Sequence, residues 1–243
     1  MRETRERRKS GRFLIEGLLP VGAAIEEGWE IQTLLYAPEL LASEYGQGLV
    51  RRFGGRIEAV SKHAFEAVAD KINPQGIVAI ATQRHLSLSS WAAAGHAAAL
   101  VHPQDPGNVG TIVRTLEAVG ASAVYLLDGG VDPFHPTVVR ASMGANFRLP
   151  VVEAEFGLFV EWCRRQGVQL IGTSARGSLD YQSVQPRNPW ILLLGNEQQG
   201  LSAGHKEACE AVVAVPMRGR AGSLNLAVAA GVLLYAYTSS AKA

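Results

Sequence analysis

The sequence predicts an α/β protein with a mainly parallel sheet flanked by helices, preceded by a smaller α/β domain. Three observations predict it. Runs of Val, Ile and Leu without polar alternation, such as Trp190–Gly195 and Ser122–Asp128, read as strands covered on both faces. Segments with helical spacing of apolar residues stand between them, the order expected of a parallel sheet. Across 243 residues, a hydrophobic content of 47% and 26 glycines fit a folded chain with a sizeable core better than a disordered one.

Taken in order, Arg12–Gly17 starts as a strand, Leu18–Gly28 reads as a helix and Ile31–Ala37 as a strand. His63–Asp70 reads as a helix, and Gly76–Thr82 is a continuous apolar run, the mark of a buried strand. Composition breaks at Thr82–Ala98, polar and then Ala-rich. Beyond it, strands are predicted at Ala97–His102, Ser122–Asp128, Val168–Thr173, Trp190–Gly195 and Ala211–Pro216. Helices are predicted at Val109–Val119, Phe156–Gln166 and Leu224–Tyr237, with a shorter one at His205–Cys209. The division that follows is a basic arm (1–12), a small α/β domain (13–82), a linker (83–96) and a second domain (97–243).

Leu224–Tyr237 is apolar nearly all round, so it is expected to be buried on every side, against its own domain, another domain or another chain. It is too short to span a membrane, which takes roughly 20 apolar residues. The charged first residues lack an export signal, so the chain is expected to be cytoplasmic. Cys163 and Cys209 have no CxxC partner and read as ordinary buried thiols, without a disulfide framework or zinc ribbon. His205 and Cys209, one turn apart, make too few ligands for a metal site.

Formal net charge is only +1, yet Arg2, Arg5, Arg7, Arg8, Lys9 and Arg12 crowd the first twelve residues against Glu3 and Glu6. The rest is therefore net acidic. Such an arm either approaches phosphates or is a solvated, frayed end.

Ligands of open parallel sheets bind beyond the carboxyl ends of the strands, so the informative stretches are those that follow strands. Four of them, beginning at Pro103, Ser174, Asn196 and Met217, are rich in Gly and small polar residues. Asn108 is placed to cap a helix whose apolar stripe is Val109, Ile112, Val113, Leu116 and Val119, with Arg114 off the stripe. Glu197, two residues past a strand, can be an N-cap partner, a base or an orienter of another side chain. Ser223 and Asn225 stand at the mouth of the last helix, where unpaired N–H groups favour anions. No GxGxxG follows a strand and no GxxxxGK[ST] occurs, so dinucleotide and P-loop sites are unsupported.

"DPGNVGTIVRTLEAVGA", "LLLGNEQQGLS" and "VPMRGRAGSLNLAVAAGVLLY" resemble, in order and spacing, the three motifs of the SpoU/TrmH family of RNA ribose 2′-O-methyltransferases. "VDPFHPTVVRASMGANFRLPV" is similar to the segment these enzymes carry between the first two motifs. Relatives often have Lys at the position of Thr137. The N-terminal part resembles, more loosely, a small L30e-like RNA-binding domain.

The resemblance implies a C-terminal α/β trefoil-knot (SPOUT) domain that dimerises, with the site completed across the interface. The cofactor it implies is S-adenosylmethionine, held by Thr173, Gly195, Asn196, Val215, Met217, Ser223 and Leu224. It implies methyl transfer to a ribose 2′-hydroxyl of RNA. In that reaction Arg114 stabilises the developing oxyanion or binds the adjacent phosphate, and Asn108, Glu197, Ser223 and Asn225 act as positioning groups. Arg5, Arg8, Arg12, Arg140, Arg148 and Arg218 are candidate RNA contacts. Ribosomal RNA, 23S in particular, is favoured as substrate, with transfer RNA as the alternative. Two rival readings are an RNA-binding or assembly factor without catalysis and a small-molecule transferase indifferent to RNA.

Overall fold

The basic run at the start of the chain folds as a helix, α1 (Thr4–Ser10), which ends at Gly11. In the computed structural model, residues 3–69, 73–175, 177 and 179–239 are described. Arg2 of the basic run, Asp70 at the end of a predicted helix, and Arg176 and Ser178 of the loop after Thr173 lie outside them. The expected arm is thus helical over most of its length, and Arg12 already belongs to a strand.

Seven further elements follow: β1 (Arg12–Glu16), α2 (Leu18–Glu26), β2 (Ile31–Tyr36), α3 (Glu44–Arg52), β3 (Ile57–Ala59), α4 (Lys62–Val68) and β4 (Ile77–Thr82). The four strands form one sheet in the order β1-β4-β2-β3, with β4 antiparallel to β1 and β2, and β2 parallel to β3. The sequence does not predict α3 or β3. Helix α3 carries two glycines and few apolar residues, and it starts where the Ser43 side chain accepts from the Gly46 N–H.

The chain then passes into a second sheet through β5 (His96–Val101), α5 (Pro106–Ala118) and β6 (Ala123–Leu127). After β6, the segment Asp132–Arg148, with α6 (Pro136–Ala141) and α7 (Ala145–Arg148), groups with the first unit. The remaining elements are β7 (Val151–Ala154), α8 (Phe156–Gln166), β8 (Gln169–Thr173), β9 (Leu179–Asp180), β10 (Trp190–Leu194), α9 (Ala203–Glu207), β11 (Ala211–Ala214) and α10 (Leu226–Ser239). Strand order is β7-β6-β5-β10-β8-β11-β9, and every pairing is parallel. The core on one side of this sheet includes Tyr125, Phe159, Trp162 and Leu193, all buried.

The chain therefore divides differently from the sequence expectation. One unit takes residues 1–84 with 132–148, and the other takes 85–131 with everything from Leu149. The predicted linker has no separate existence, since Leu86 bridges Val152 and the stretch after His85 belongs to the second unit. Apolar side chains explain the grouping of 132–148. Phe134, Val139 and Phe147 share a core with Phe13, Val21 and Leu34. The Phe13 ring lies 4.8 Å from Phe134 and 6.2 Å from Phe147, and the Trp29 indole N–H donates to the Phe147 carbonyl at 3.0 Å. Gly144 (φ 96) passes so close to α2 that a Cβ there would stand 2.9 Å from that of Ala23.

Both functional helices start elsewhere than predicted. Asp105, not Asn108, caps α5, accepting from the N–H groups of Gly107 (2.6 Å) and Asn108 (3.2 Å), with Pro106 in the first turn. Helix α10 starts at Leu226, and its cap is Asn225, whose Oδ1 accepts from Ala227 (2.9 Å) and Val228 (3.3 Å). Within the single chain, α10 leaves Val228 (52%), Val232 (37%) and Tyr235 (53%) exposed, so its own chain does not cover it on every side. Among the described residues, no helix is long and apolar enough to cross a membrane.

Candidate active site

Strands β5, β10, β8 and β11 are neighbours in the sheet, and the loops at their carboxyl ends open on one cavity of about 1100 Å³. The first residues of α10 close it. Leu194, Leu201, Val213, Leu226 and Leu233 supply apolar wall, and Asn108, Thr173, Asn196, Glu197 and Asn225 supply polar groups.

The loop after β10 is shaped by glycine. A Cβ on Gly195 would overlap the carbonyl carbon of Gly200, so only glycine lets Asn196 and Gly200 pair across the turn. The Asn196 carbonyl accepts from the Gly200 N–H at 2.8 Å, and its Oδ1 accepts from Gln198 (2.9 Å) and Gln199 (3.2 Å). Its Nδ2 donates to the His102 carbonyl at 2.9 Å, which ties this turn to the β5–α5 loop.

Glu197 strengthens that tie. Its carboxylate accepts from the backbone N–H groups of Gln104 (3.1 Å) and Asp105 (3.2 Å), and from Nδ2 of Asn108 (3.3 Å). Asn108 Oδ1 in turn accepts from Nδ2 of Asn225 at 3.0 Å. The direction of this chain is forced. Asn225 Oδ1 must accept from two backbone N–H groups, so its amide nitrogen must donate to Asn108, whose own nitrogen is left for the carboxylate. Three loops remote in sequence are thereby locked into one hydrogen-bonded rim. Of the three roles open to Glu197, its contacts combine two: it accepts from backbone N–H groups at the start of α5 and from the amide of Asn108.

Every predicted cofactor residue lines the cavity: Thr173, Gly195, Asn196, Val215, Met217, Ser223 and Leu224. Thr173 Oγ1 donates to the Leu193 carbonyl at 3.1 Å, and Ser223 stands exposed at the rim. Arg114 does not line the cavity. It is exposed on α5 and has no hydrogen-bond or ion-pair partner among the described residues. Asp105 and Lys206 line the cavity without having been predicted. The Asp-Pro pair at 105–106 is a cap signal that identifies the first, whereas nothing in the sequence singles out Lys206.

Of the predicted RNA contacts, Arg5, Arg8 and Arg12 are exposed in the first unit. Arg140 is half-buried in α6, and Arg148 is shared between Glu26 (3.7 Å) and Glu27 (3.5 Å). Thr137, in the first turn of α6, donates its N–H to His135 Nδ1 at 3.1 Å. Arg218 is exposed in the loop before α10. Burial pushes the thiols of Cys163 and Cys209 up to about 12, which disfavours their thiolate forms. Among the described residues, no group of three or more His, Cys, Asp or Glu side chains is placed to hold a metal ion.

A seven-stranded parallel sheet whose carboxyl-end loops are bound together around one cavity is consistent with the SPOUT fold, which the likeness to solved SpoU methyltransferases supports. Within that class, residues 96–235 match the SpoU rRNA Methylase family, and the chain belongs to it. Residues 1–79 match the MRM3-like substrate binding domain. The chain is similar to the 23S rRNA (guanosine(2553)-2′-O)-methyltransferase of Bacillus subtilis (strain 168), 33% identical over 95% of this chain and 90% of that protein. Among solved structures it is similar to an AdoMet-bound rRNA methyltransferase from Sinorhizobium meliloti (TM-score 0.88, 35% identity, 99% and 92% of the two chains). It is also similar to the SpoU methyltransferase AviRb from Streptomyces viridochromogenes in complex with AdoMet (TM-score 0.89, 30% identity, 98% and 94%).

Proposed function

We propose that this chain methylates a ribose 2′-hydroxyl of 23S ribosomal RNA, with S-adenosylmethionine as donor. The observation that carries the reading is the rim in which Asn108, Glu197 and Asn225 join the three motif loops around one cavity. The cavity's chemistry suits the donor. An adenine ring needs an apolar slot with main-chain groups at its edge, and Leu194, Leu201 and Leu233 stand beside glycine-rich loops. When bound, the cofactor supplies an electrophilic methyl group on a sulfonium.

The rest of the work falls to the protein. Asn108, Glu197 and Asn225 hold the β5–α5 loop, the β10 loop and the start of α10 in one geometry, so that the cavity is preorganised. A 2′-hydroxyl is a poor nucleophile, and its oxygen gains negative charge as its proton leaves. Arg114 is assigned the stabilisation of that charge, from the neighbouring subunit of a homodimer. Exposed Val228, Val232 and Tyr235 lie at helical spacing on α10, which packs against α5, the helix of Arg114. A second copy laid on this face covers the apolar side chains and brings Arg114 to the partner's cavity. The knotted crossing of the last strands and helix and a cytoplasmic setting belong to the same proposal.

Cations serve the RNA: exposed Arg5, Arg8, Arg12 and Arg148 with half-buried Arg140 in the first unit, and exposed Arg218 beside the cavity. The test is the variant Arg114→Ala. Transfer of labelled methyl groups to 23S rRNA is expected to fall by at least about a hundredfold, while calorimetry gives an unchanged affinity for S-adenosylmethionine. Turnover like that of the unaltered protein would remove the assigned role.

A further inference from the structure

Among the described residues of the basic run, Arg7 is the one cation that is fully buried. Its Nε and Nη2 both meet Asp132 Oδ2, at 2.8 and 2.6 Å, and Nη2 also donates to Thr4 Oγ1 at 3.0 Å. The other oxygen of Asp132 accepts from the Phe134 N–H at 2.8 Å, which ties the carboxylate to the start of the 132–148 segment. Two stretches 125 residues apart are thus pinned together within the first unit. Arg5, Arg8, Lys9 and Arg12 are all exposed on and just after α1, and none has an ion-pair partner among the described residues.

A seven-residue helix is far too short to persist by itself in water. A buried ion pair adds little net stability, because desolvation offsets most of the attraction, but it does fix which groups meet and in what orientation. We propose that the Arg7–Asp132 pair is a latch that positions α1 as a phosphate-binding face for the RNA substrate. Asp132, in the segment between the first two methylase motifs, is on this account a positioning residue for substrate binding. It acts through α1, which presents Arg5, Arg8 and Lys9 in a fixed array beside Arg12 of β1. The inference rests on the RNA methyltransferase reading above.

Asp132→Asn is the discriminating variant. Asn keeps the size and the acceptor for Phe134, but turns an N–H donor toward the Arg7 guanidinium, so α1 is released while the rest of the unit keeps its packing. Binding of end-labelled 23S rRNA is measured by filter retention across a salt series. A second variant, Arg5→Gln with Arg8→Gln and Lys9→Gln, removes the exposed cations that α1 itself carries. Each is expected to weaken binding roughly tenfold and to flatten the salt dependence by about 0.7 for every phosphate no longer neutralised. The combined variant should bind no more weakly than either alone, because both act on the same set of phosphates. Affinity for S-adenosylmethionine should not move.

Hydrogen exchange should show α1 amides deprotected in Asp132→Asn, with β1 and β4 amides as slow as before. Additive losses, an unaltered salt slope in Asp132→Asn, or deprotection spreading through β1 and β4 would overturn the latch and leave the methyltransferase reading standing. If the unaltered protein retains no 23S rRNA at any salt concentration, both fall.

Discussion

Asn225 shows what one amide can do at this site. Its oxygen closes the first turn of α10, and its nitrogen reaches Asn108 on another helix, so capping and site assembly are one act. Glu197 anchors the far end with three accepted hydrogen bonds. We expect Glu197→Gln to disrupt the rim despite its equal size. Its amide would set donor against donor at Gln104, Asp105 or Asn108, a loss of about 1–3 kcal/mol. A fall in unfolding free energy of that order, with affinity for S-adenosylmethionine reduced, is the outcome that denaturant titration and calorimetry should give. Unchanged values would mean that the carboxylate is incidental. Asn108, Glu197 and Asn225 could each be singled out from the sequence, but not their mutual contacts, because hydrogen bonds between residues 89 and 117 positions apart leave no local pattern. The same limit hid the buried partner of Arg7, which in sequence looks like any other member of a basic run.

At the level of elements, strands with unbroken apolar runs were legible, and β5, β6, β8, β10 and β11 lie where their side chains predict. Strands β7 and β9 escaped notice because four and two residues carry too little periodicity. Capping chemistry moved both helix starts, since Pro106 and the Oδ1 of Asn225 set them more firmly than apolar spacing does. Helix α10 carries the prediction that belongs to this scale. On the proposed dimer, in which this face is covered, a carboxylate at Val232 would be buried unpaired, so Val232→Glu is expected to yield a folded monomer with little methyl transfer. Sedimentation velocity reads the oligomeric state, and a Val232→Glu protein that remains dimeric would show that this face is not where subunits meet.

Across the whole molecule, the boundary in sequence and the boundary in structure differ. The SpoU family match runs through 96–235 without interruption, yet residues 132–148 bury their aromatic side chains in the N-terminal unit. Composition cannot reveal this, because Phe134 and Phe147 would suit either core. Phe147→Ala should therefore lower the stability of the N-terminal unit, by about 3–5 kcal/mol, and hydrogen exchange in β1 and β4 should quicken while β5 and β10 stay protected. Loss of protection in β5 and β10 instead would assign the segment to the other core. The most direct test of the central claim is a map of 2′-O-methylation in RNA from cells with and without this protein, repeated in vitro with purified protein, labelled S-adenosylmethionine and unmodified 23S rRNA. One ribose of 23S rRNA should lose its methyl group in the deleted strain and regain it in the reaction. Methyl groups on a base, on transfer RNA alone, or on no RNA would contradict the account.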